Sequence, residues 1–244
     1  MLAIWKKELQ NYYLTPIGYV FMGIFLLVGG VMFYLGNIMG MTPSVATLLG
    51  NLNYIFMLTV PILTMRLLSE EKRTKTDQLL ITSPRRIWDI VGGKFLAAAM
   101  VVLLTTCCTL LYVALLSRYT NRLYPAAIAC NYLGFLLLSL SYVAIGLLMS
   151  ALTESQVSAA VLTLGVNLLL QILESVFSSS SFALPAALSF LRPVLSWFSL
   201  YSRYNQFAAG RLSFANILYY LSFIGLMLFL SVRVIDRRRW SEGG

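Results

Sequence analysis

The chain has 244 residues, 59% of them hydrophobic and 11% charged, with a mean hydropathy of +0.80. This is too apolar for an ordinary soluble domain, so lipid must be its main solvent. The formal charge of +9 is therefore read against membrane topology, where cytoplasmic loops concentrate Lys and Arg, and not as a nucleic-acid signal.

Residues 2–13, LAIWKKELQNYY, place Leu2, Trp5, Leu9, Tyr12 and Tyr13 on one helical face, away from Lys6, Lys7, Gln10 and Asn11. The pattern predicts an amphipathic interface helix over 1–16, with Trp5, Lys6, Lys7 and Glu8 at headgroup level. The plain basic flank of a first span would look the same. Thr15-Pro16 ends it, because a residue before proline avoids the α region. No cleavable signal peptide is expected, since the first apolar run follows a polar, aromatic segment and lacks a cleavage site.

A spanning helix needs about 20 mostly apolar residues, and six stretches qualify. They cover about Ile17–Ile38, Val45–Leu68, Phe95–Ser117, Ala126–Leu152, Val157–Phe177 and Phe214–Ile235. Gly36 and Gly40 close span one with a G-x-x-x-G spacing that permits close helix approach and also arises by chance. Cys107, Cys108 and Cys130 lie in or beside apolar runs at no metal-ligand spacing, so they read as small buried hydrophobes.

Between spans two and three lies the one long polar interruption, residues 66–94. It holds Glu70, Glu71, Lys72 and Arg73, then a Thr74-x-x-Asp77 pattern resembling a capping box. A helix carrying Leu79, Leu80 and Ile81 is predicted to follow and to stop at Thr82-Ser83-Pro84. Ser83 can cap a second helix with Pro84 at its first position, and that helix leads past Gly93-Lys94 into span three. Residues 178–212 have apolar runs too short to span, broken by Pro185 and Pro193, which fit re-entrant helices before span six.

Thirteen of the 18 basic residues fall on the N-terminal, 66–94 and C-terminal side, against five on the other. The positive-inside rule then places both termini and the 66–94 loop in the cytoplasm of a multi-pass cell-membrane protein. The basic tail, Arg233 to Arg239, reads as the flank that stops the last span.

In span five, Thr163, Asn167, Gln171 and Glu174 are spaced to share one helical face. Charges inside a bilayer face protein or water, which leaves two readings. The stripe lines a translocation path or its outer gate, or else Asn167 and Gln171 bond neighbouring helices while Glu174 pairs with Arg192 or Arg203.

The 66–94 loop resembles that of permease subunits of ABC-2 type exporters. Their signature is an acidic-basic run, a G-T-x-E-x-L-L-x-T-x-P-like segment and G-K entering span three. This chain matches at Glu70, Glu71, Arg73, Thr76, Leu79, Leu80, Thr82, Pro84 and Lys94, and departs with Lys75 for glycine and Gln78 for glutamate. Trp5 to Leu9, followed by Tyr13, Pro16, Ile17 and Tyr19, is similar to the gliding-motility-type branch.

The resemblance implies an all-α polytopic fold over 1–244, one transmembrane domain. It would have six transmembrane helices, the N-terminal interface helix, a cytoplasmic coupling helix between spans two and three, and re-entrant helices before span six. It also implies a separate cytoplasmic ATPase, docked on the coupling residues just named together with Gln78, and a second permease copy or homologous permease as dimer partner. An extracytoplasmic auxiliary protein is a further implied partner.

Independently of resemblance, the chain lacks the phosphate-binding loop G-x-x-x-x-G-K-[ST]; WDIVGGKF at 88–95 misses the first glycine and the hydroxyl. ATP and magnesium are thus expected on the partner, with no cofactor in this chain. The absence of histidine removes the commonest general base and metal ligand, which disfavours an intramembrane enzyme. The remaining alternative is a membrane scaffold or a secondary transporter without an ATPase.

Overall fold

Six helices long and apolar enough to cross a membrane occur among the described residues of a computed structural model, which are 2–40, 44–73, 87–119, 124–178 and 199–241. No strand occurs among these residues. The helix α1 (Leu2–Leu14) precedes the first span, α2 (Pro16–Phe33). Thr15 between them is extended (φ −96°, ψ 151°), and Pro16 starts α2 where its missing N–H costs nothing. The top of α2 widens into a π-helical turn, Tyr34–Met39. There Gly36 lies against the Asn51 side chain, whereas Gly40 meets only the backbone of its own turn, so one glycine of the G-x-x-x-G pair marks a close helix approach.

Span two is α3 (Val45–Thr64), with Pro61 in its last turn. A turn over 65–68 leads to the short helix α4 (Ser69–Arg73). Span three comprises α5 (Ile87–Cys108) and α6 (Leu110–Leu116), offset at Thr109, whose hydroxyl bonds the Thr106 carbonyl at 2.6 Å. The segment entering span three is thus continuous helix through Gly92 and Gly93, as the sequence suggests.

Spans four and five are α7 (Pro125–Leu152) and α8 (Gln156–Ser178), joined by three residues. The short helix α9 (Leu200–Ala208) precedes span six, α10 (Phe214–Ser241). Nine residues rise only about 13 Å, so α9 cannot span. It stops at Gly210, whose φ of +74° suits the glycine end of a Schellman turn. Gly210 N–H donates to the Phe207 carbonyl and Arg211 N–H to that of Gln206, each at 2.9 Å. The last helix runs past Ile235 to Ser241.

The hub is α7, which packs against α3, α5, α8, α9 and α10. Within their most apolar stretches, 78% of α7 is buried, against 17% of α8. Phe56 of α3 and Phe135 and Tyr142 of α7 form the aromatic centre, joined edge-on by Phe21 and Phe25 of α2. Such pairs contribute beyond the area they bury.

Candidate functional site

The two polar regions singled out in the sequence lie at opposite ends of the bundle. At one end α1, α4 and the start of α5 converge on Lys94. Its Nζ lies 3.0 Å from Glu8 Oε1 and 2.8 Å from Glu71 Oε1. The Lys94 side chain is only 3% exposed and those of Glu8 and Glu71 14% and 19%, so this is a buried charge triad. A desolvated ammonium is tolerable only when paired in this way.

The triad has a topological meaning. Residues 74–86 connect α4 to α5, so Glu71 and Lys94 bind together the helices on either side of that segment. Glu8 fastens both to α1. A second tie lies one turn along: the Tyr12 hydroxyl donates to the Leu63 carbonyl at 2.9 Å. Burial pushes that phenol well above its ordinary pKa, which keeps it a neutral donor.

A third tie holds the turn between α3 and α4. Ser150 Oγ on α7 accepts the backbone N–H groups of both Leu68 and Ser69, each at 3.0 Å. The Lys72 ammonium donates to the Ala151 carbonyl, and Arg66 forms a two-pronged pair with Glu70. Just beside this, Gly146 faces Thr64 so closely that a Cβ would run into its side chain. The sequence did carry a signal here, since Gly146 and Ser150 are four residues apart, the small-xxx-small spacing of close helix contacts.

Of the predicted coupling residues, Glu70, Glu71, Arg73 and Lys94 are thus placed. Arg73 is exposed, and Glu70 and Glu71 are partly so. Thr76, Gln78, Leu79, Leu80, Thr82 and Pro84 lie outside the described residues. On α1, Lys6 and Lys7 are exposed while Trp5 and Glu8 turn inward, so the buried face packs on α5 and α2 and includes an acid.

At the other end, the α8 stripe faces the bundle where α8 packs on α3 and α7. Thr163 and Asn167 are fully buried, while Val161, Leu162, Leu169 and Ile172 face outward. Thr163 bonds back to the Ala159 carbonyl at 2.7 Å. Among the described residues, neither side-chain polar atom of Asn167 has a hydrogen-bond partner, nor does Gln171 Oε1. Orphaned amides of this kind are costly in a packed interior.

Glu174 is occupied differently. Its Oε2 accepts the Tyr201 N–H at 2.9 Å and its Oε1 the Ser199 hydroxyl at 3.0 Å. A carboxylate there satisfies free N–H groups and the positive end of the α9 dipole. Arg203 lies 3.8 Å over the Tyr219 ring and bonds Asn216, while Arg192 lies outside the described residues. Glu174 therefore caps a helix, a role that neither sequence reading contained.

A family model for "ABC-2 family transporter protein" matches residues 2–238. No curated protein matches the chain.

Proposed function

The chain belongs to the ABC-2 transporter family, and from that premise we propose that it is the permease subunit of an ATP-driven exporter whose ATPase is a separate chain. The observation that carries this reading is the Lys94 triad. Any push on residues 74–86 reaches α4 and α5 together through Glu71 and Lys94, and the interface helix through Glu8. Ser150 carries the same displacement into the hub helix α7.

Both termini and residues 74–86 face the cytoplasm in this reading, supported by the uneven distribution of Lys and Arg. The ATPase docks on residues 74–86, with Leu79 and Leu80 in its groove. Lys94 itself is too buried to meet a partner and acts by holding α4 and α5 together. A second permease copy packs alongside to complete the path, and the N-terminal pattern supports membership of the gliding-motility-type branch with an extracytoplasmic auxiliary protein.

Thr163, Asn167 and Gln171 line that path when α8 parts from α3 and α7; the orphaned amides of Asn167 and Gln171 favour a state in which water or cargo reaches them. Glu174 positions α9 at the outer end of the path. The test is affinity purification from the native membrane with identification of bound subunits. An ATPase should be retained by the natural chain and lost from Leu79→Asp/Leu80→Asp; retention by that variant would move the docking site elsewhere.

A further inference from the structure

A cavity of about 390 Å³ lies between the interface helix and spans three and four. Its walls are Trp5 of α1, Leu96, Ala99, Met100 and Leu103 of α5, and Leu136 and Leu140 of α7. Nothing polar lines it, and Leu96 and Leu103 are 43% and 39% exposed, so it opens on the outer surface of the bundle. We propose that this groove holds one acyl chain of an anionic phospholipid, whose headgroup lies against Lys6 and Lys7.

The level of the groove sets which end of a lipid it meets. Trp5 lies one turn from Glu8, and Leu96 two residues from Lys94, Glu8's partner. The mouth is therefore beside the charged triad, at the membrane interface. From Leu96 to Leu103 the wall descends roughly 10 Å along α5, into the depth that hydrocarbon occupies. An opening at the interface that continues inward and is apolar throughout suits a chain with a polar head, with the indole at the boundary.

Charge selects the headgroup. Lys6 and Lys7 adjoin Trp5 and are exposed, and neither closes a salt bridge among the described residues. Glu71 already offsets part of the Lys7 charge, and a zwitterionic headgroup brings its own ammonium beside its phosphate, so an anionic headgroup gains more from the two lysines than a zwitterionic or uncharged one. The bound chain completes the packing of α1 on spans three and four, so it also steadies the helix that presents Glu8 to Lys94.

Quenching of tryptophan by brominated acyl chains tests this in the full chain, reconstituted in phosphatidylcholine nanodiscs with Trp88, Trp197 and Trp240 replaced by Phe so that Trp5 alone reports. Dibrominated phosphatidylglycerol should reach half-quenching at a mole fraction about tenfold or more below dibrominated phosphatidylcholine, since each lysine near an anionic headgroup contributes about fivefold. The preference should vanish in Lys6→Gln/Lys7→Gln, a surface change, and in a variant that fills the groove. Ala99→Phe is the first such variant, with Leu136→Phe in its place if the first does not fold. Equal quenching by the two lipids in the parent overturns the proposal, because a nonpolar cargo or neutral lipid then fills the groove equally well. So does a preference that survives either change, because the lipid is then held around α1 and not within the groove.

Discussion

Glu174 and Tyr201, 27 residues apart, meet where a carboxylate at the top of span five takes a backbone N–H from the first turn of the short helix α9. Glu174→Ala should loosen α9 and lower stability by about 1 kcal/mol, the usual scale of a lost cap, and Glu174→Gln should retain part of it. Thermal unfolding in nanodiscs, with hydrogen exchange over 199–208, would show both effects.

Removing the cation from the buried triad should be more damaging than removing either acid. Lys94→Met leaves Glu8 and Glu71 facing each other without a counter-charge, a loss on the order of 3–5 kcal/mol for a broken buried pair. Adding Glu8→Gln and Glu71→Gln to Lys94→Met should recover much of it. Melting temperatures of the single and triple variants would settle the comparison.

Ser150→Ala should release two backbone donors at once. Leu68 and Ser69 would lose their acceptor on α7, at about 1–3 kcal/mol for each buried N–H left unmade. Amide exchange should accelerate over residues 65–73 and leave α10 unchanged. Uniform acceleration throughout the chain would show that the bond serves global stability alone.

Gly146→Ala should strain the contact between α3 and α7, because the new methyl meets Thr64. Overpacking of this kind costs about 1–3 kcal/mol. Thr64→Ala removes the hydroxyl and methyl on the opposing side and should restore part of the loss, so the two substitutions should be non-additive in a double-mutant cycle.

The spans were readable because each is a local property: about 20 apolar residues and the prolines that bound them. Pro16 and Pro125 start helices where the pattern predicts. The inward face of α8 was readable for the same reason, from the four-residue spacing of Thr163 and Asn167. Contacts between distant residues were not. Glu8 lies 86 residues from Lys94, and nothing in a helical pattern tells a buried acid from an exposed one until the facing helix is placed. The spacing of Gly146 and Ser150 marks a close helix contact but not its partner, a turn some 80 residues away. For Glu174, composition could show that a carboxylate needed a partner but not that the partner would be backbone.

The central position of α7 also has a consequence in time. During synthesis α2, α3 and α5 enter the membrane before residues 125–152 emerge to join them, yet α3 and α5 both pack on that helix. Gly146 and Ser150, which receive Thr64 and the 65–68 turn, are among the last residues of α7 to be made. The first three spans therefore wait, with the Leu68 and Ser69 donors unmet, until span four arrives to organise them. A substitution at Ser150 or Gly146 would lengthen this interval, exposing the nascent chain to membrane quality control before any transport activity could be measured.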